Sequence, residues 1–85
     1  MAIRRAAAAE RIVRNPQVLG GEPIVRGTRI PVRSVVLAWR EYGGLDGVLD
    51  AYPQLTPADV RDALAFYDAH TAEIERYLRA NLTQD

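Results

Sequence analysis

The stretch LDGVLDAYPQLTPADVRDALAFY, Leu45 to Tyr67, decides how the chain is read. Thr56 stands where a helix N-cap belongs, Pro57 suits the first helical position, and Asp59 falls in the first turn, where the helix dipole favours an acid. Val60, Ala63, Leu64 and Tyr67 then recur at helical spacing, so a helix begins at Pro57. Before it, Leu45 to Tyr52 forms a shorter helix weakened by Gly47, with Val48, Leu49 and Tyr52 facing inward. Pro53 stops that helix, because the residue before a proline is pushed out of the helical region. A short helix, a three-residue connection (Pro53 to Leu55) and a capped longer helix make a helix–turn–helix-like pair.

Toward the C-terminus no Gly or Pro interrupts before Asn81, and Ile74, Tyr77 and Leu78 continue the apolar stripe. The pattern fits one long helix or two helices bent near His70. Toward the N-terminus, VRSVVLAWREY (32–42) places Val32, Val35, Val36 and Trp39 on one helical face, and Gly43-Gly44 ends it. Upstream, RIV (11–13) and IVRGTRI (24–30) read as extended pieces around the turn-rich NPQVLGGEP (15–23), with a hinge at Arg26-Gly27. Gly27 can take the positive φ that such a turn requires. The expected fold class is mainly α with a small antiparallel β-ribbon, helix–turn–helix-like or winged-helix-like. Residues 1–10 form an N-terminal arm and 11–80 one domain.

Eighty-five residues bury a thin core. The chain has no cysteine and one histidine, which excludes disulfides and thiolate or histidine-built zinc sites. Support from a partner subunit is therefore expected. The arginines before Ala6 resemble a targeting segment, but Glu10 and Arg11 break the apolar run, and no membrane-spanning stretch is present.

Net charge is zero, yet residues 1–40 hold eight arginines against two acids, and residues 41–85 hold three arginines against nine acids. Such lopsidedness suggests a polyanion-facing front and a protein-facing rear. Catalysis finds no support: the only serine, Ser34, lies in an apolar helix far from His70, and Glu73 and Glu75, two apart, face different sides of their helix. A phosphate loop between Gly21 and Gly27 fails, since five residues separate the glycines and no Lys-Ser/Thr follows. The chain is read as a non-enzyme needing no cofactor and no metal.

Two elements compete to contact DNA. The first turns of the helix after Thr56 display Asp59, Arg61 and Asp62, and two carboxylates would repel phosphate. The ribbon carries Arg26, Arg29 and Arg33, with Arg11 and Arg14 on its other strand and Arg4 and Arg5 on the arm. Any one of these arginines, Arg29 especially, equally fits an inward position beside a carboxylate. His70 reads as a surface residue, and Trp39 and the tyrosines as core or subunit-interface residues.

The segments RIVRNPQVLGGEPIVRGTRIPV and AYPQLTPADVRDAL resemble a bacterial family known as domain of unknown function four-three-three. The resemblance rests on Gly21, Pro23 and Gly27 to Val32, followed by Tyr52 to Thr56, and spans residues 11–75. It implies a compact helix–turn–helix-like domain with a β element. Many members look like VapB-type antitoxins of type II toxin–antitoxin pairs, partnered with PIN-like ribonuclease toxins. No contact residue is carried over from it.

Together these readings predict a cytoplasmic, homodimeric antitoxin-type transcription regulator. Arg4, Arg5, Arg26, Thr28, Arg29 and Arg33 are expected to bind double-stranded operator DNA. Tyr67, His70, Ile74, Tyr77 and Leu78 are expected to engage a PIN-like toxin or second subunit. A dimer neutralising about six phosphates gives a log K against log salt slope of roughly −5. The alternative is a dimeric protein-interaction module, or a transcription factor, with no toxin partner.

Overall fold

The computed structural model describes residues 10–82. Arg4 and Arg5, and with them the arm expected at 1–10 except for Glu10, lie outside the described residues. The element order is β1 (Ile12–Val13), a 3-10 turn (Leu19–Gly21), β2 (Ile24–Val25), α1 (Val32–Tyr42), α2 (Leu45–Ala51), α3 (Pro57–Ala69) and α4 (Thr71–Leu82). The two strands pair antiparallel with Ile12 opposite Val25 and Val13 opposite Ile24. A bridge between Ile24 and Pro31 brings the chain back along the same ribbon before α1 begins.

Two strands of two residues cannot stand alone in water. This ribbon is anchored because Ile24, Val25 and Ile30 are buried and the last two join the helical core. The Val32 amide also donates to the Pro23 carbonyl at 3.0 Å, tying the start of α1 to the ribbon. Around that anchor α1 packs against α2, α3 and α4, and β1 rests on α3. Val32, Val35, Val48, Val60 and Ile74 are fully buried at the shared centre. Burying each such side chain contributes about 1.5–3 kcal/mol.

The α3 start forms as the sequence predicts. The Thr56 hydroxyl accepts from the Asp59 amide at 3.1 Å, and the Asp59 carboxylate accepts from the Thr56 amide at 2.9 Å, closing a capping box. α2 ends one residue earlier than expected, at Ala51, because Tyr52 precedes Pro53 and leaves helical geometry (φ −132°, ψ 76°). Of the two readings for the C-terminal stretch, two helices form, broken at His70 (φ −134°, ψ 40°). Its amide reaches back to the Phe66 and Tyr67 carbonyls, and its ring stacks on Phe66 with centroids 4.0 Å apart.

Of the two places expected for Trp39, core or subunit interface, it does not take the core. The buried face of α1 runs through Val32, Val35, Val36 and Ala38, leaving Trp39 39% exposed and outside the core. The cause lies just beyond the helix. A Cβ on Gly47 would overlap the carbonyl oxygen and Cβ of Tyr42, so glycine lets α2 fold directly onto the last turn of α1. That tight return brings Val48, fully buried, into the core in place of the indole.

Candidate nucleic-acid interface

The ribbon turn is built from Val25 to Thr28. The Thr28 amide donates to the Val25 carbonyl at 3.0 Å, and Gly27, at the third position, has φ 80° while Arg26 does not have positive φ. That combination is a type II turn, and it requires glycine at Gly27. The Thr28 hydroxyl donates to the Val25 carbonyl (2.8 Å) and accepts from the Ile30 amide (3.0 Å). Thr28, expected to contact DNA, therefore uses its donor to hold the turn closed.

Arg26, inside that turn, and Arg29, just after it, are exposed, and among the described residues neither has a carboxylate within ion-pair distance. The Arg26 amide donates to the Arg11 carbonyl at 2.6 Å. Glu10, Arg11, Arg26 and Asp59 line one cleft, which sets the ribbon turn beside the N-terminus of α3. The carboxylates there are partly neutralised, since Arg11 lies 3.7 Å from Asp59 and 3.1 Å from Asp62.

The remaining arginines of the basic half take a different role. Arg33 bonds Glu22 at 2.5 Å, and Glu22 is the buried charged residue of the described core, 7% exposed. A buried carboxylate demands a partner. Arg33, expected on the DNA face, thus serves the interior: it joins α1 to the segment that leads into β2. Arg14 makes a bidentate pair with Glu73 (2.6 and 3.0 Å) and lies 5.5 Å from the centre of the Phe66 ring. Arg40 reaches both Tyr67 (3.0 Å) and Glu75 (2.8 Å).

These contacts fasten α4. Tyr77 donates to Glu73 at 2.8 Å, and Tyr67 donates to Glu75 at 2.5 Å. The two acids do face different sides of α4, as their spacing predicts, and each meets its own arginine–tyrosine clamp. The Arg14 hydrogen bond holds the Glu73 carboxyl well below the usual carboxylate range, at about 2. Glu75 is lowered too, first by the Tyr67 hydrogen bond and then by Arg40. The same Glu75 contact raises the Tyr67 hydroxyl, while burial and then Glu73 raise that of Tyr77.

The expected partner face is correspondingly changed. Ile74 is fully buried and Leu78 is 7% exposed, so both belong to this chain's own core and are not surface contacts. Tyr67 and Tyr77 are half-buried in the clamps, and His70 is exposed at the α3–α4 junction. Sequence reading missed the ion pairs between the two halves, because spacing along the chain gives no signal for partners such as Arg14 and Glu73. Of the two places it gave Trp39 and Tyr42, core or subunit interface, their exposure excludes the core, and Gly47 was the available clue. Among the described residues no cluster of His, Asp or Glu is arranged to hold a metal ion, and no helix is long and apolar enough to cross a membrane.

What emerges is a small four-helix domain, counted over the described residues, with a docked ribbon whose tip presents paired arginines. Residues 12–67 match the family described as "Protein of unknown function (DUF433)", and the chain belongs to that family. A crystal structure of a DUF433 member protein from Anabaena variabilis is similar, with TM-score 0.72 and 32% identity, covering 92% of this chain and 78% of that one. The uncharacterized protein y4eO of Sinorhizobium fredii is 33% identical over 79 residues. That match takes in 93% of this chain but 36% of y4eO, so the chain spans little more than a third of that relative's length.

Proposed function

We propose that this domain is an antitoxin-type DNA-binding regulator of a type II toxin–antitoxin pair, a homodimer that contacts operator DNA and neutralises a PIN-like ribonuclease toxin in the cytoplasm. One observation carries the DNA half. Within the basic half of the described chain, Arg26 and Arg29 stand at a type II turn with no carboxylate partner, while Arg11, Arg14, Arg33 and Arg40 are all ion-paired. Free guanidinium groups beside a helix N-terminus suit phosphate and base-edge contacts. The toxin half rests on the family resemblance alone.

The test is titration of the full chain with the DNA upstream of its own coding sequence, at several salt concentrations. Arg26 and Arg29 of two chains make four phosphate contacts in a dimer, so log K against log salt should slope at roughly −3 to −4 from these alone. That is shallower than the −5 expected from the sequence, because Arg33 is withdrawn into the fold. A flat response removes the DNA half, and failure to co-purify with the neighbouring gene product removes the toxin half.

A second reading, a protein-interaction module with no DNA role, is favoured by the pairing of Arg11, Arg14 and Arg40 with acids of the C-terminal half. Under it, replacing Arg26 and Arg29 leaves DNA affinity unchanged.

A further inference from the structure

We infer that the end of α1 and the adjoining α2 form a docking surface for a cationic segment of a partner protein, one bearing arginine or lysine among apolar residues. The surface is separate from the ribbon turn and stands whether or not Arg26 and Arg29 meet DNA.

Its floor is aromatic. Trp39 and Tyr42, three apart and so neighbours on one helical face, are 39% and 61% exposed. They are two of the four large apolar side chains exposed among the described residues. The two rings flank a fixed backbone. The Gly43 and Gly44 amides both return to the Trp39 carbonyl, and a Cβ on Gly44 would meet the indole at 4.0 Å. Gly47 lies so close to Tyr42 that a Cβ there would overlap the Tyr42 carbonyl oxygen and Cβ. Tyr42, Gly47, Asp50 and Ala51 then line an open depression of about 370 Å³. A rigid aromatic surface of this kind loses little conformational entropy on binding, which is why Trp and Tyr dominate the energetic centres of interfaces.

Its charge selects the occupant. Five acids of the described chain (Glu22, Asp59, Asp62, Glu73 and Glu75) are in ion pairs. Of the others, Glu41, Asp46 and Asp50 fall within ten residues on α1 and α2, all exposed. Asp50 lines the depression itself. The nearest arginine in sequence, Arg40, is held by Tyr67 and Glu75 and cannot neutralise them. Exposed rings beside unpaired carboxylates attract a guanidinium or ammonium group twice, through the ring faces and through the acids. A symmetric contact with a second copy would instead bring like-charged acids together.

Trp39 is the only tryptophan of the chain and so reports on the surface directly. The intact protein is titrated with a short peptide alternating arginine and leucine, and with the same peptide carrying glutamate for arginine, while its emission is followed. The expected result is a saturable blue shift with the arginine peptide alone. Asp46→Asn/Asp50→Asn and, separately, Tyr42→Ala should each weaken that binding about tenfold with the melting temperature unchanged. Three outcomes overturn the inference: no saturable shift, an equal response to the glutamate peptide, or binding unaltered in Asp46→Asn/Asp50→Asn. A dimer that sediments as a monomer only after Tyr42→Arg would show a second copy covering the surface, and overturns it as well.

Discussion

Arg29 and Arg33 sit four residues apart on either side of Pro31, and the fold puts them to opposite uses. Arg29 belongs with Arg26 to the tip of the ribbon, exposed, beside a turn that Gly27 and Thr28 hold shut. Arg33 sits at the base, against a carboxylate that is largely buried. With Arg11, Arg14 and Arg40 it forms a seam of five arginine–acid pairs, four of which join the basic first half of the chain to the acidic second half. A segregation of charge along the chain therefore becomes, in part, adhesion within the fold. What remains for an outside partner is the tip, the exposed Arg61, Arg76 and Arg79, and acids the seam does not reach.

The largest effect is expected at the base of the ribbon. Arg33→Ala leaves Glu22 buried and unpaired and should cost about 3 kcal/mol or more, read from denaturant unfolding. Replacing both partners with apolar residues of similar volume, as in Arg33→Met with Glu22→Leu, should restore most of that loss. If the single substitution is silent, the contrast between base and tip fails. Next is Gly47→Ala, which forces a methyl group into the Tyr42 backbone and should cost about 2–3 kcal/mol by the same measurement. Unchanged stability there would mean that α2 does not rest on α1 as described.

The outer seam should respond more weakly. Arg14 and Glu73 are partly solvated, so Arg14→Ala is expected to cost about 1 kcal/mol or less. Its pH signature is more telling. The folded Glu73 carboxyl is depressed from its ordinary value near 4.5 to about 2. The pair therefore stabilises the fold fully above pH 4.5, and loses that contribution as pH falls from there toward 2. Glu73→Gln should flatten this part of the melting-temperature profile. At the tip, Arg26→Ala and Arg29→Ala should change stability by less than about 0.5 kcal/mol, the ordinary result for exposed side chains.

Much of the architecture was legible because local chemistry and tertiary packing agree. Thr56, Pro57 and Asp59 announce α3, Gly27 announces the turn, and the valine spacing announces the buried face of α1. The disagreements arise where a long-range contact decides. Trp39 continues a helical stripe in sequence, but the close return permitted by Gly47 fills its place with α2. Ile74 and Leu78 look like an available apolar face until α4 folds back at His70 and buries them. For the candidate site, residue type located the arginines, whereas only the folded positions of Glu22, Asp59, Asp62, Glu73 and Glu75 separate those held inside from those left outside.

The division of the arginines is tested most directly by the salt dependence of binding to the protein's own upstream DNA, measured for the wild type and for Arg26→Ala/Arg29→Ala. The account predicts that the slope becomes shallower by roughly 3 to 4 in the double variant, with its unfolding curve unaltered. A slope as steep in the double variant as in the wild type, or a variant that unfolds, would contradict it.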